Sequence, residues 1–348
     1  MQKKKKVFKA ISRKKGEILP TQVDYTPEMK DKITNLLGIE ESLLDSRLDN
    51  HIKYVYLDDK VKKDNKKEMI YDIWGVGWDI ILTEGFHFRY HPLEDYDDLY
   101  SYRFPTVNDD LFLHIKEIDK KILNNYYILF DFGWTLFERL WTLRGFEKTL
   151  SDFYFRKKEI NFLLDGILEF NIEVSNKVLE IGHIDGVFTG DDFGAQGGLL
   201  ISPIMWRDLF KTRYKKLWEI YRSKGISIFH HSCGNIFEII PDLIEIGLDV
   251  LAPIQPEAMD VKKLVKRFGR DISFFGGIST QRTLPFKSPL EVRKEIINRI
   301  EVMGEHGGYI IAPSHEITSD CKSENFLILL ETFKAYKEGK IRILSNMQ

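Results

Sequence analysis

A histidine and a cysteine two positions apart are the residues of this sequence best suited to binding a metal ion. His231 and Cys233 follow an apolar run, and in an extended chain positions i and i+2 project to the same side. Imidazole and thiolate are ligands that Zn²⁺ prefers, and a third ligand could come from His315, Cys321 or Glu257. The alternative is a packed histidine beside a buried thiol, because cysteine is often a small core residue.

Two adjacent carboxylates and a later histidine are candidates for acid–base chemistry. Asp191 and Asp192 follow an apolar run, and one of them could bind a cation or act as a general acid or base if its neighbour raises its pKa. The alternative is that one caps a loop or a following helix. His315 also follows an apolar run, and we predict catalytic roles for all three residues. His230 alternates with His231 and is expected to face away from it, into packing.

Polar and aromatic side chains at other positions are expected to contact the substrate. Gln196 and Gln255 follow two predicted strands, and Tyr25 follows the first one. Aromatic clusters are more often core than binding surface, but one cluster could form a wall against a planar substrate. Its members are Trp74, Trp78, Phe86, Phe88 and Tyr90. We therefore predict substrate contacts for Gln196, Gln255, Tyr25 and Trp78.

These candidates follow short apolar runs that alternate with amphipathic stretches. The runs span residues 184–189, 226–230, 250–254, 272–275 and 309–312. The amphipathic stretches span residues 203–223, 236–246, 260–267 and 289–303. Such alternation predicts parallel βαβ units, in a closed barrel or a doubly wound sheet. In a barrel, residues that follow the strands face the active site, which would bring the candidates together.

The first half of the chain is less regular. Strands are predicted at residues 18–24, 53–57 and 127–131, and a final helix at 323–337. Residues 1–16 indicate a terminal helix or tail, and residues 60–125 an insertion that covers one end of the barrel. We predict an α/β fold in which residues 1–348 form one (β/α)₈ TIM-barrel domain, with regular βα units over residues 180–335.

Composition excludes several classes of protein. The 51 Lys and Arg residues nearly balance the 53 Asp and Glu residues, so nothing points to nucleic acid. Two cysteines exclude a disulfide framework and fit a reducing compartment. No signal peptide or long apolar run is present, so we expect a cytoplasmic protein without a membrane span.

Several motifs together resemble the uroporphyrinogen decarboxylase superfamily over roughly residues 70–335. The motifs are Gly190-Asp191-Asp192 with Gly194 and Gln196, Ser202-Pro203 with Trp206-Arg207, His231-Ser232-Cys233-Gly234-Asn235, Gly247 with Asp249, Gly276-Gly277-Ile278, and residues 308–315. This superfamily of TIM barrels includes the heme-pathway decarboxylase and methyltransferases that act with corrinoid proteins. The resemblance therefore implies one of two reactions.

The resemblance to the decarboxylase itself is partial. His315 matches the pocket histidine that follows its last strand. The decarboxylase, however, carries an arginine-rich loop after its first strand, which grips a substrate with many carboxylates. Residues 19–26 contain no arginine and include Asp24. This difference argues against uroporphyrinogen decarboxylation, which we keep as the alternative.

The methyltransferase branch holds zinc through His-x-Cys and a later cysteine. His231 and Cys233 match the first two ligands, and the later cysteine falls at His315, six residues before Cys321. The resemblance thus implies a Zn²⁺ enzyme that moves a methyl group between a small substrate and a corrinoid cofactor, carried on a partner protein. A non-catalytic protein that binds a corrinoid or tetrapyrrole is the third hypothesis.

Overall fold

Parallel strands joined by helices form the central sheet of the protein. The computed structural model describes residues 3–16, 18–64, 66–79 and 88–341. Within them the strands are β1 (Ile52–Val55), β2 (Lys60–Asp64), β3 (Met69–Asp72), β4 (Gly77–Asp79), β5 (Phe88–Tyr90), β6 (Tyr127–Trp134), β7 (Gly186–Gly190), β8 (Gly194–Ala195), β9 (Gly198–Leu199), β10 (Ser227–His231), β11 (Val250–Ile254), β12 (Ser273–Ile278) and β13 (Tyr309–Pro313). Seven of these form a curled sheet in the order β1-β6-β7-β10-β11-β12-β13, and each neighbouring pair is parallel.

Helices surround this sheet, which explains why its strands are apolar on both faces. The α-helices of the described residues are α1 (Lys3–Ile11), α2 (Pro27–Leu37), α3 (Leu44–Leu48), α4 (Leu113–Lys116), α5 (Lys120–Asn125), α6 (Phe137–Arg144), α7 (Phe146–Phe155), α8 (Lys157–Ile181), α9 (Pro203–Trp206), α10 (Thr212–Arg222), α11 (Ile240–Glu245), α12 (Val261–Phe268), α13 (Thr283–Phe286), α14 (Pro289–Met303) and α15 (Ser323–Lys337). Every residue of β7, β11 and β13 is buried. No helix in the described ranges is long and apolar enough to cross a membrane.

The segment before α2 lies between β13 and the start of β1. Gln22 donates its backbone N–H to the Ile311 carbonyl (2.9 Å), and His51 donates its own to the Thr21 carbonyl (3.2 Å). The strand predicted over residues 18–24 is reduced to isolated bridges, one of which joins Thr21 and Ile311. Side-chain amides take the place of some strand-to-strand hydrogen bonds in this segment. The Asn50 side chain accepts the backbone N–H of Val23 and donates to the Val23 carbonyl.

The predicted terminal helix is confirmed over Lys3–Ile11, and it packs against residues inside the curled sheet. Val7, Ala10 and Ile11 are buried in one apolar cluster with strand residues that include Tyr127. Ser273 donates its hydroxyl to the Ala10 carbonyl (2.9 Å). Because Tyr127 and Ser273 begin β6 and β12, the helix covers the amino ends of the strands, opposite the predicted site.

Part of the predicted insertion forms a small antiparallel sheet. Its strand order is β2-β3-β4-β5. Asp72 of this sheet pairs with buried Arg139 of α6 at 2.8 Å, and Trp78 stacks on Trp134 with the ring centroids 4.6 Å apart. Trp134 ends β6, so the insertion contacts the central sheet at the carboxyl end of that strand.

Candidate functional site

Two histidines and a cysteine meet at the carboxyl ends of β10 and β13. His231 ends β10, Cys233 lies two residues later, and His315 lies two residues after β13. One ligand atom from each of the three side chains lies within 4.8 Å of the others. The His231 Nε2 is 3.4 Å from the Cys233 Sγ, and the two imidazole rings are 5.9 Å apart at 86°. The structure thus brings together the three residues predicted to hold a metal.

Backbone contacts fix the loop that carries the cysteine. Gly234 has a φ of +78°, and a Cβ there would lie 2.3 Å from backbone atoms of Gly194. Only glycine fits this left-handed conformation and close approach. Asn235 donates its backbone N–H to the Ala195 carbonyl at 2.8 Å. The loop after β7 therefore holds the His-x-Cys loop in place.

Asp192 contacts both members of the His-x-Cys pair. Its Oδ1 accepts the backbone N–H of Cys233 at 2.7 Å and lies 3.4 Å from the His231 Nε2. Burial alone would raise the pKa of Asp192, but the hydrogen bond and charge of His231 hold this pKa below its usual value. Burial opposes a charged His231, yet the Cys233 sulfur and Asp192 raise the pKa of His231 well above its usual value.

The pKa shifts of the other two members of the cluster favour their neutral forms. Burial raises the pKa of the Cys233 thiol. Burial, together with the charge of His231, lowers the pKa of His315 to about 4, although this residue is exposed to solvent on one side. A neutral imidazole keeps the lone pair that a metal needs. The nitrogen, nitrogen and sulfur donors match a zinc site of three protein ligands with an open position.

Asp191, by contrast, is fully buried at the start of α6. It accepts backbone N–H groups from Leu136, Phe137 and Glu138 at 2.8–2.9 Å, and a hydroxyl from Tyr214. Burial raises the pKa of Asp191 to about 6. Because both oxygens already bind donors of the protein, this geometry corrects our catalytic hypothesis for Asp191 in favour of helix capping.

The predicted substrate contacts fall at different depths. Gln196 is exposed and bonds Gln281 (3.0 Å). Gln255 lies beside Cys233, and Tyr25 bridges to Ile317. Trp78 is only 3% exposed and stacks on Trp134, so it lacks the open surface that its predicted substrate contact needs. Phe86, another member of the predicted aromatic wall, lies outside the described residues.

Two further expectations concern Cys321 and His230. The Cys321 thiol is 1% exposed and contacts the Lys322 carbonyl at 3.6 Å. Cys321 is not among the described residues whose ligand atoms converge, so the cluster contains His315 as its third member. His230 is fully buried and packs beside Tyr214 and Trp218, which confirms its predicted orientation.

Several acidic side chains near the site were not among our predicted residues. Burial raises the pKa of Asp24 to about 6, that of Asp131 to about 6 and that of Glu316 to about 7. Burial and the nearby charge of Asp192 also raise the pKa of Glu138 well above its usual value. Asp131 and Glu316 lie in or directly after strands, a position that could have identified them from the sequence.

Comparison with known proteins assigns the family. The sequence model of the uroporphyrinogen decarboxylase (URO-D) family matches residues 132–336, which is more than half of the 348 residues. The chain therefore belongs to the URO-D family. A comparison with curated protein sequences gives no match. Among solved structures, the fold is similar to that of a methyltransferase from Methanosarcina mazei, with a TM-score of 0.72, 17% sequence identity, and coverage of 97% of this chain and 99% of that one.

Proposed function

We propose that this protein is a methyltransferase that moves a methyl group between a small substrate and a corrinoid cofactor carried on a partner protein. The observation that carries the proposal is the convergence of His231, Cys233 and His315 within 4.8 Å at the carboxyl ends of two strands. The fold it shares with a methyltransferase supports the same class. We also propose that residues 20–25 complete an eight-stranded barrel, and that the whole chain is one domain.

In this proposal His231, Cys233 and His315 hold a zinc ion. When bound, the ion would lower the pKa of a thiol or hydroxyl of the substrate and so provide a nucleophile at neutral pH. Before metal binds, the proton of His231 faces both Asp192 and Cys233, each at 3.4 Å. His231 and Cys233 must lose their protons to act as ligands, and Asp192 can keep the loop oriented through the backbone N–H of Cys233.

The charges around the site disfavour the alternative, uroporphyrinogen decarboxylation. A substrate with many carboxylates needs fixed cations in a partly dry pocket. Asp24 lies in the segment where the decarboxylase carries arginines, and Asp131 and Glu316 act electrostatically on the same region. Ionised carboxylates there would repel a polycarboxylate.

The first experiment is metal analysis of protein purified without chelator. We expect close to one zinc per chain. The second incubates the zinc protein with methylcobalamin and a panel of small thiols, and follows the loss of methylcobalamin by absorbance. A metal-free protein with no methyl transfer would overturn the proposal. Conversion of uroporphyrinogen would establish the alternative, and binding of methylcobalamin or a tetrapyrrole with neither activity would indicate a binding protein.

A further inference from the structure

Gln255 lies directly behind the cysteine of the proposed metal site. It follows β11 and is 9% exposed. Its backbone carbonyl accepts N–H groups from Ala258 and Met259 at 3.1 and 3.0 Å, which fixes the start of its loop. Its side chain reaches across to the neighbouring loop, where it contacts Gly234 and Cys233. The backbone of Gln255 is therefore fixed at the end of β11, and its side chain points to the His-x-Cys loop.

The two contacts determine which way the amide faces. The Gln255 Oε1 accepts the backbone N–H of Gly234 at 2.6 Å, and the Nε2 lies 3.5 Å from the Cys233 Sγ. The N–H of Gly234 can bond only to an oxygen acceptor, so it requires Oε1 on its side. The amino group must then face the sulfur. This orientation follows from the hydrogen bonds and does not depend on the protonation of Cys233.

We propose that Gln255 is a positioning residue that holds the sulfur of Cys233 and lowers its electron density by donating a hydrogen bond to it. A donor beside a thiolate lowers the electron density on sulfur and strengthens as the sulfur becomes charged. Partners of metal ligands act in this way on the ligand and on the metal. The use of this hydrogen bond in catalysis rests on the proposed function. The hydrogen bond itself is a contact between two residues of the protein and does not depend on that function.

Two substitutions separate the sulfur contact from the support of the loop. Gln255→Met keeps the length of the side chain and removes both hydrogen bonds. Gln255→Glu keeps an oxygen for Gly234 but replaces the donor to Cys233 with a carboxylate, so it preserves the loop if the Met variant fails to fold. Gln281→Glu is the matched control, because Gln281 bonds the exposed Gln196 at 3.0 Å and not the sulfur.

The first readout is the sulfur-to-cobalt charge-transfer band of protein loaded with Co²⁺. Both Gln255 variants should shift this band to longer wavelength, since a sulfur without its donor gives up electron density more easily. Gln281→Glu should leave the band in place. A folded Gln255 variant with the wild-type band would overturn the proposal, because a residue that only supports the loop would not tune the sulfur.

The second readout needs no metal, and it separates this inference from the proposed function. Alkylation of Cys233 by iodoacetamide at neutral pH is followed on its own peptide by mass spectrometry, which distinguishes it from Cys321. The thiolate is the reactive form, so loss of the donor should slow alkylation by about ten-fold. If the wild type binds no Co²⁺ and the variants still react slowly, the proposed function fails and the role of Gln255 stands. Equal rates in the wild type and both variants would overturn that role.

Discussion

The carboxyl edge of the central sheet carries different chemistry on its two sides. The loops after β10 and β13 provide His231, Cys233 and His315, whose nitrogen and sulfur atoms converge. The side near β1 and β6 provides Asp24 and Asp131, whose burial raises the pKa of each to about 6. Nitrogen and sulfur suit a transition metal, whereas carboxylates with raised pKa values take up protons at a higher pH than ordinary carboxylates do. We therefore infer a side that would bind the proposed metal and a proton-binding side formed by the carboxylates.

Substitution of Cys233 should have the largest effect on the metal-binding side of the site. Cys233→Ala deletes one of three proposed ligands, and we expect zinc affinity to fall by more than about 100-fold, beyond the loss typical of an outer partner. Metal analysis and competition with a chelator measure the change. Cys321→Ala is the control and should retain zinc, since Cys321 lies in the core. Loss of zinc from Cys321→Ala alone would reverse our assignment of the third ligand.

Substitution of His315 tests whether both loops contribute to the site. His315→Ala should weaken zinc binding by about 10–100-fold, because two ligands would remain on the His-x-Cys loop. His315→Cys should restore binding, since thiolate is also a zinc ligand. Chelator competition on the three proteins gives the order of affinities. Equal affinity in the wild type and His315→Ala would place His315 outside the metal site.

The neighbouring aspartates provide a comparison within one loop. Asp191→Asn should lower the free energy of unfolding by about 2–3 kcal/mol, because an amide cannot accept all the buried donors of the start of α6. Asp192→Asn should leave that free energy nearly unchanged and weaken zinc binding by about ten-fold. Urea unfolding and chelator competition measure the two effects. An unstable Asp192→Asn together with a stable Asp191→Asn would show that we have exchanged their roles.

The sequence predicted the regular part of this fold because apolar runs and helices alternate there with clear ends. The bounds of β11, α14 and α15 are those predicted. The predicted strand over residues 18–24 forms only isolated parallel bridges, because Gln22 and Asn50 bind backbone groups through their side chains, a contact that apolar patterning cannot reveal. The predicted helix over residues 236–246 is shorter, Ile240–Glu245, and we made no prediction for α6, α7 and α8.

The residues of the site could be predicted where the alternation of side chains along a strand determines which of them share a face. His231 and Cys233 share a side because they are two residues apart, and the same alternation separates His230 from His231. The alternation also separates Asp191 from Asp192, so one should have been expected to be structural. Trp78 differs, since no local pattern distinguishes an aromatic side chain in a pocket from one that stacks under an insertion, as Trp78 does on Trp134.

The smallest expected effect concerns the proton-binding side. The pKa of Asp131 is raised from about 3.8 in the unfolded chain to about 6, chiefly by burial. The folded state therefore binds the extra proton between these values, and this contribution to stability is lost as the pH rises from about 4 to about 6. The Asp131→Asn variant has no carboxyl group to titrate, so it does not lose stability in this way as the pH rises. Its amide oxygen can still accept the backbone N–H of Gly133, which Asp131 accepts at 2.8 Å.

We therefore expect Asp131→Asn to be more stable than the wild type at pH 7 by about 1 kcal/mol, after allowance for the partial exposure of Asp131. The difference should shrink toward zero near pH 4. Urea unfolding at both pH values measures it, with Asp110→Asn, which changes an exposed carboxylate, as the control. A difference that grows as the pH falls would mean that Asp131 is stabilised as a carboxylate, and the two sides of the site would then not differ as we infer.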